Sequence, residues 1–167
     1  MKRRSTHSRL GLNCRAQVKE LLRNVQLSNP WSMNNFIDQL ETYRQREIDL
    51  CAFLWIPGSA TGAWHPYATH DVIAYAENTT PAHQDHTIFH EVGHMLAGHT
   101  PRCVLSTTEA EGAAPHLRPA ALNHLLAAES HALDEYEAEL IATILLAQVA
   151  KIRPHGPLQR RVEAVFQ

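Results

Sequence analysis

The sequence is poor in cysteine and lacks any long apolar run. Its three cysteines, Cys14, Cys51 and Cys103, are too few and too widely spaced for a disulfide framework or a Cys-x-x-Cys metal site. We therefore expect a reducing compartment, the cytoplasm. The longest apolar run, residues 140–150, is well short of the roughly 20 residues that cross a bilayer, so no membrane segment is expected.

The sequence also lacks an excess of charge of either sign, because its 15 basic and 17 acidic residues give a formal net charge of only −2. Direct binding of nucleic acid or of an anionic membrane is therefore not expected for the chain as a whole. The one basic stretch lies within residues 1–14 and lacks the apolar run of a secretory signal, so we interpret it as a flexible tail. A contact with nucleic acid or a partner protein is the alternative. Hydrophobic residues at 44% and charged residues at 19% predict that residues 15–167 form one globular domain.

Hydrophobic periodicity predicts an α+β fold that is mostly helical. Four main helices are predicted, over about residues 15–27, 30–46, 80–98 and 130–154. In the second, Asn29 is the expected cap and Pro30 the first helical residue. In the third, Thr80 caps, Pro81 follows and Gly98 ends the helix.

The remaining segments are predicted as strands, loops and short helices. Strands are expected at residues 50–56 and from about 72 to 77, with residues 58–70 between them as a turn or hairpin loop, since they contain Gly58, Gly62 and Pro66. Residues 99–118 are predicted as a loop, 120–128 as a short helix, and the chain after Pro157 as a terminal helical turn.

The third helix carries the sequence His90-Glu91-Val92-Gly93-His94. Residues four apart in a helix lie about 40° apart around its axis and about 6 Å apart along it, so both imidazoles can bind one ion. Glu91 then lies at the flank of the metal, within reach of a water molecule. The pattern predicts a zinc ion bound by His90 and His94, with Glu91 as the catalytic base of a peptidase.

A catalytic zinc needs a third protein ligand, and the fourth main helix offers acidic candidates. Glu135 and Glu139 are four residues apart and share a face, whereas Glu137 is turned away from them. We expect one of the pair to bind the metal and the other to orient a ligand histidine by a hydrogen bond. A solvated acidic helix start is the structural alternative.

These motifs resemble the ImmA/IrrE family of metallopeptidases. The similarity is carried by residues 90–94, by Met95-Leu96-Ala97-Gly98-His99, by residues 135–142 and by the lead-in at 71–75, and it covers roughly residues 48–146. It implies a gluzincin-like (zincin-like) core, in which the His-Glu-x-x-His helix packs beside a small, mainly antiparallel sheet. It also implies that Glu135 is the third zinc ligand. Glu139 stands where the family has an asparagine, and Ile141 where it has an aromatic residue.

The resemblance further implies a regulatory role. Residues 15–167 would form one metallopeptidase domain, an intracellular zinc endopeptidase that cleaves a specific protein partner such as a helix-turn-helix repressor. An edge strand at residues 72–75 would pair with the extended substrate. The alternative is a metal-binding regulatory or toxin–antitoxin-like protein that uses the same fold for protein contacts without turnover. Glu91 favours the enzyme, because a scaffold has no chemical need for a base beside its metal.

Several other residues have less specific interpretations. His86 lies one turn before His90 and either lines the cleft or is a surface histidine, and His99 is taken to mark only the end of its helix. The donor that stabilises the oxyanion is left open among His116, His124, His131 and Tyr136.

Overall fold

The computed structural model describes residues 2–100 and 132–152, which form four helices and a three-stranded sheet. The α+β class is therefore confirmed. The helices are α1 (Lys2–Asn24), α2 (Met33–Arg44), α3 (Pro81–Ala97) and α4 (Ala132–Ile152), and the strands are β1 (Glu47–Phe53), β2 (Gly62–Pro66) and β3 (His70–Ala76). Of the helices in these two ranges, none is both long and apolar enough to cross a membrane.

The sheet has the strand order β1-β3-β2 and is mixed rather than mainly antiparallel. Strand β3 pairs in parallel with β1, where Ile73 lies opposite Leu50, and antiparallel with β2, where Ile73 lies opposite Trp64. The chain leaves β1, forms β2 on the far side and returns as β3 through the middle. The expectation that residues 72–75 form a free edge is therefore wrong, because both sides of β3 are paired.

Strand β2 lies inside residues 58–70, which were predicted as a turn or hairpin loop. The prediction gave weight to Gly62 and Pro66, but these are the first and last residues of the strand, and Pro66 is tolerated on an edge strand. Between them Ala63 and Trp64 are buried. Burial of these two side chains against the rest of the fold outweighs the local turn propensity.

Helix α3 has the ends that were predicted for it. The Thr80 side chain accepts a hydrogen bond from the His83 N–H, and Pro81 is the first helical residue. Gly98 has a φ of 69° and caps the carboxyl end in the left-handed conformation. On the buried side of the helix, the Phe89 ring packs edge-to-face on Phe36 of α2, with ring centroids 5.2 Å apart.

Helices α3 and α4 meet at Gly93 and Ala138. A Cβ atom placed on Gly93 would lie 2.7 Å from the carbonyl oxygen of Ala138, which is closer than real Cβ atoms approach other atoms. Ala138 itself is fully buried. The absence of a side chain at Gly93 thus lets the two helices approach closely, and this brings the acidic start of α4 to the histidine face of α3.

Two helix starts differ from the prediction. Residues 2–14, expected as a basic flexible tail, belong to α1, and Cys14 is fully buried there. Helix α2 begins at Met33 instead of Pro30, because the Ser32 side chain accepts a hydrogen bond from the Asn35 N–H and so caps the helix. The helix predicted over about residues 15–27 overlaps α1, and its apolar positions face the core: Val18, Leu21 and Val25 are buried and Leu22 is partly buried.

Three predicted segments lie outside the described residues. They are residues 101–118 of the predicted loop, the short helix at 120–128 and the turn after Pro157. Cys103 and three of the oxyanion candidates, His116, His124 and His131, fall in the same part of the chain.

Candidate metal centre

Two histidines on one face of α3 supply the first two donor atoms. His90 and His94 lie one turn apart, and their Nε2 atoms are 3.1 Å apart. His94 is buried and His90 is partly buried. The helical spacing places the two side chains on the same face about 6 Å apart, and their side-chain conformations bring the Nε2 atoms together.

The third donor atom comes from α4. Glu135 Oε2 lies 3.2 Å from His90 Nε2 and 3.5 Å from His94 Nε2, so the three atoms form a nearly equilateral triangle, which we call the donor triangle. The structure thus brings Glu135, rather than Glu139, to the two histidine nitrogens. Glu135 is where the resemblance placed the third ligand, and it is one of the two residues that the helical spacing left open.

The dimensions of the donor triangle fit a metal ion. Tetrahedral zinc binds nitrogen and oxygen at about 2.0–2.1 Å, which places neighbouring ligand atoms about 3.3 Å apart. The three observed separations, 3.1, 3.2 and 3.5 Å, lie on either side of that value. His90, His94 and Glu135 therefore form a group that could hold a metal ion.

Glu139 lies on the outer side of His90. Its Oε2 is 3.4 Å from His90 Nδ1, and its Oε1 is 3.1 Å from His86 Nε2. The first distance is that of an ion pair and is longer than an ordinary hydrogen bond, and the buried Nδ1 atom has no hydrogen bond of good geometry. Glu139 thus lies beside the His90 ring, where a carboxylate that orients a ligand histidine was expected, but without a hydrogen bond to it.

Glu91 is buried beside the donor triangle. Its carboxylate accepts a hydrogen bond from the backbone N–H of Trp64 in β2, which favours the ionised form. Burial, and to a smaller extent the negative charge of Glu135, act in the opposite direction and raise the pKa of Glu91 to about 8. In the metal-free protein this carboxyl group therefore holds its proton at neutral pH.

A cavity of about 240 Å³ joins these groups. It is lined by His90, Glu91, His94 and Glu135 on one side and by Ala60, Thr61, Gly62 and Trp64 on the other. Gly62 is required for this approach, because a Cβ atom there would lie 2.3 Å from Thr87 Cγ2 and 3.1 Å from Glu91 Oε1. The β2 strand thus forms one wall of the site.

His99 is a residue whose position the sequence did not reveal. The left-handed turn at Gly98 brings the chain back, so that the His99 N–H bonds to the His94 carbonyl oxygen at 3.0 Å. Its ring Nδ1 lies 3.0 Å from Nδ1 of His94, and its Nε2 lies 3.5 Å from Oε2 of Glu137. Glu137 points away from the donor triangle, as its position on the helix predicts.

Two further candidates lie away from the donor triangle. His86 lines a neighbouring cavity of about 210 Å³ together with His83, Glu139 and parts of His90 and Glu91. Tyr136 is exposed on α4 and does not line either of these cavities. The structure thus offers no support for Tyr136 as the oxyanion donor.

Comparison with models of protein families, with curated proteins and with solved structures finds no match to this chain. The chemistry that the site can support is therefore inferred from its own residues. Two imidazole nitrogens and one carboxylate oxygen are ligands that zinc accepts, with room for a fourth ligand on the cavity side. The buried carboxyl group of Glu91 lies beside them.

Proposed function

We propose that this chain is a zinc-dependent endopeptidase with a gluzincin-like core, similar to the ImmA/IrrE metallopeptidases. The observation that supports the proposal best is the donor triangle of His90, His94 and Glu135, whose sides match the ligand spacing of tetrahedral zinc. The two described cysteines are free thiols, in keeping with the cytoplasmic location that we propose for it.

His90, His94 and Glu135 would hold the metal, which when bound acts as a Lewis acid on the scissile carbonyl and makes water a better nucleophile. Glu91 then takes a proton from the attacking water and delivers it to the leaving amine. The pKa of Glu91 would be lowered by the positive charge of a bound metal ion, which favours the carboxylate form that accepts this proton. Burial of Glu91 and its hydrogen bond from Trp64 keep the carboxylate in one place for both transfers.

The substrate would lie along β2 rather than β3. Hydrogen bonds from Ala76 N–H to Thr61 O and from Tyr67 N–H to His70 O lie at the two ends of β2 and set the alternation of its main-chain groups. Because the pattern alternates in antiparallel pairs, the main-chain groups of Gly62 and Trp64 face away from β3. The Trp64 N–H on this side is donated to Glu91, so pairing with a substrate would use the main-chain groups of Gly62 and the Trp64 carbonyl oxygen. Within the described residues this edge has no strand partner, and it borders the cavity.

Pairing with an exposed strand edge selects extended segments of a partner protein. We therefore propose a flexible linker as the target, such as one in a helix-turn-helix repressor. Regulation of transcription would follow from removal of that repressor.

The test is to incubate the zinc-loaded chain with a proteome-derived peptide library and identify cut products by mass spectrometry. Cleavage should fall by roughly 10² to 10⁴ in the Glu91→Gln variant, while bound zinc stays stoichiometric. Zinc binding without cleavage by either protein would favour the alternative, a metal-binding regulatory protein without turnover. Undiminished cleavage by Glu91→Gln would show that another group activates the water.

A second measurement tests pairing with β2. The peptide that is cut is resynthesised with one backbone nitrogen methylated at a time, which removes one hydrogen-bond donor per peptide. Pairing with a strand edge predicts loss of cleavage at every second position, because only alternate residues face the partner strand. Sensitivity without this alternation would contradict strand pairing and leave the zinc site untouched.

A further inference from the structure

His99 is held tightly behind the donor triangle. Its side chain is only 8% exposed, and its ring Nδ1 lies 3.0 Å from Nδ1 of His94, the nitrogen on the far side of the His94 ring from the donor triangle. The two rings are inclined at 69°, with centroids 5.1 Å apart. A hydrogen bond between the two nitrogens explains this distance, and one of the two must then carry the proton.

The positions of the protons follow from the ligand role of His94. A neutral imidazole that binds metal through Nε2 carries its hydrogen on Nδ1, so His94 is the donor and His99 Nδ1 is the acceptor. His99 must therefore carry its own hydrogen on Nε2. That atom faces two carboxylates, with Glu137 Oε2 at 3.5 Å and Asp134 Oδ1 at 3.9 Å.

We propose that His99 is a positioning residue that fixes the tautomer and ring orientation of His94, and that Glu137 in turn holds His99 in its Nε2–H form. The proposal rests on the metal site described above. The two links are of different kinds. The link between the histidines is a hydrogen bond, whereas Glu137 acts through its negative charge on the Nε2–H group of the neutral His99 ring, at a distance above that of an ordinary hydrogen bond.

Two residues of helix α1, Asn13 and Cys14, lie next to the Glu137 carboxylate. Asn13 Nδ2 lies 3.5 Å from Glu137 Oε1, and Cys14 Sγ lies 4.0 Å from the same oxygen. Burial, and to a smaller extent the charge of Glu137, raise the pKa of the Cys14 thiol, so the thiol keeps the proton that it can direct at the carboxylate. Residues of α1 thus hold Glu137 in place, and through Glu137 they act on His99 and His94.

The experiment measures zinc affinity in competition with a chromophoric chelator. We expect His99→Leu to weaken zinc binding about 10- to 100-fold, the usual cost of losing a group that orients a ligand. His99→Asn should recover most of this loss, because the Asn oxygen takes the place of Nδ1 as an acceptor. His99→Gln should not, because its amide reaches the Nε2 position instead. A role in packing alone predicts similar affinities for the Asn and Gln variants.

Matched controls make the outcomes distinct. His83→Leu removes an exposed histidine from the same region and should leave zinc affinity unchanged, and circular dichroism reports whether each variant folds. Nitrogen NMR of the zinc-loaded wild type should show the Nδ1–H form of His94 and the Nε2–H form of His99. Tight zinc binding that survives His99→Leu, or the opposite tautomers, would overturn the role of His99 alone. A wild type that binds no zinc would overturn the proposed function and this inference together.

Discussion

The two histidines of the donor triangle lie in contrasting surroundings. The His94 side chain is 9% exposed and is backed by His99 and Glu137, whose side chains are 8% and 15% exposed. The His90 side chain is 21% exposed and is backed by Glu139, which is 48% exposed. Charges are screened weakly in the first environment and strongly in the second. If both histidines bind the proposed metal ion, we expect His94 to be the fixed ligand and His90 the adjustable one.

The largest predicted effect is the loss of bound zinc when His90 or His94 is removed. It tests whether the two histidines share one metal ion. His90→Ala and His94→Ala should each lose stoichiometric zinc, as measured by metal analysis after dialysis. His94→Ala should also lower the free energy of unfolding more than His90→Ala, by about 1–3 kcal/mol, because it leaves buried polar atoms of His99 without their partner. Stoichiometric zinc in the double variant would place the metal elsewhere.

Glu91 lies between the two histidines in sequence, and its buried carboxyl group should make the stability of the metal-free protein depend on pH. Its pKa is raised from 4.5 to about 8, so the folded state holds a proton that the unfolded chain releases above its lower pKa. The free energy of unfolding should therefore fall as pH rises from about 5 to about 8. At about 1.36 kcal/mol per pK unit the fall is at most about 5 kcal/mol.

Urea unfolding of the metal-free wild type and of Glu91→Gln, at about pH 5 and about pH 8, measures this contribution. Below the pKa that Glu91 has in the unfolded chain, the folded and unfolded states both hold the proton, and Glu91 does not make the stability depend on pH. The free energies of unfolding of the two proteins should therefore change differently with pH only above that pKa. Equal pH dependence in the two proteins would show that other groups are responsible.

Gly93 lies between His90 and His94 in the sequence, at the place where α3 touches α4. Its substitution should therefore affect the surroundings of both histidines. Gly93→Ala places a methyl group against the Ala138 backbone, separates the helices and moves Glu135 away from both histidines. We expect a loss of about 1–3 kcal/mol in the free energy of unfolding, together with weaker zinc binding. Gly11→Ala is the control, since that helical position has open space and should gain stability slightly. Equal behaviour of the two variants would contradict the close packing.

The smallest predicted effect is the difference between Glu137 and Glu139, the two carboxylates that lie behind His94 and His90. Glu137→Gln should weaken zinc binding up to about tenfold, because Glu137 is largely buried and its charge acts on His99 with little screening. Glu139→Gln should have less effect, and added salt should abolish it. Titration of each variant with zinc at low and high salt makes the comparison. A larger effect at Glu139 would reverse the assignment of fixed and adjustable ligand.

The sequence predictions were correct where a feature depends on neighbouring residues and wrong where it depends on residues that are distant in the sequence. The ends of α3 were predicted correctly because Thr80, Pro81 and Gly98 act on their own neighbours. Strand β2 was missed because its evidence is the burial of Ala63 and Trp64 against distant residues, while its local signals, Gly62 and Pro66, resemble those of a turn. The basic residues near the N-terminus likewise suggested a tail, although Cys14 packs against α4.

What the sequence determined by itself is the local chemistry of one helix, because a fixed rise and rotation per residue place His90, Glu91 and His94 around a common point. It also limited the third ligand to Glu135 or Glu139, since both lie on one face of α4. Only the tertiary structure shows that Glu135, and not Glu139, lies beside both histidine Nε2 atoms, through the contact of Gly93 with Ala138 that sets the offset of the two helices. The same is true of His99, whose place behind His94 depends on a left-handed turn and on a carboxylate from another helix.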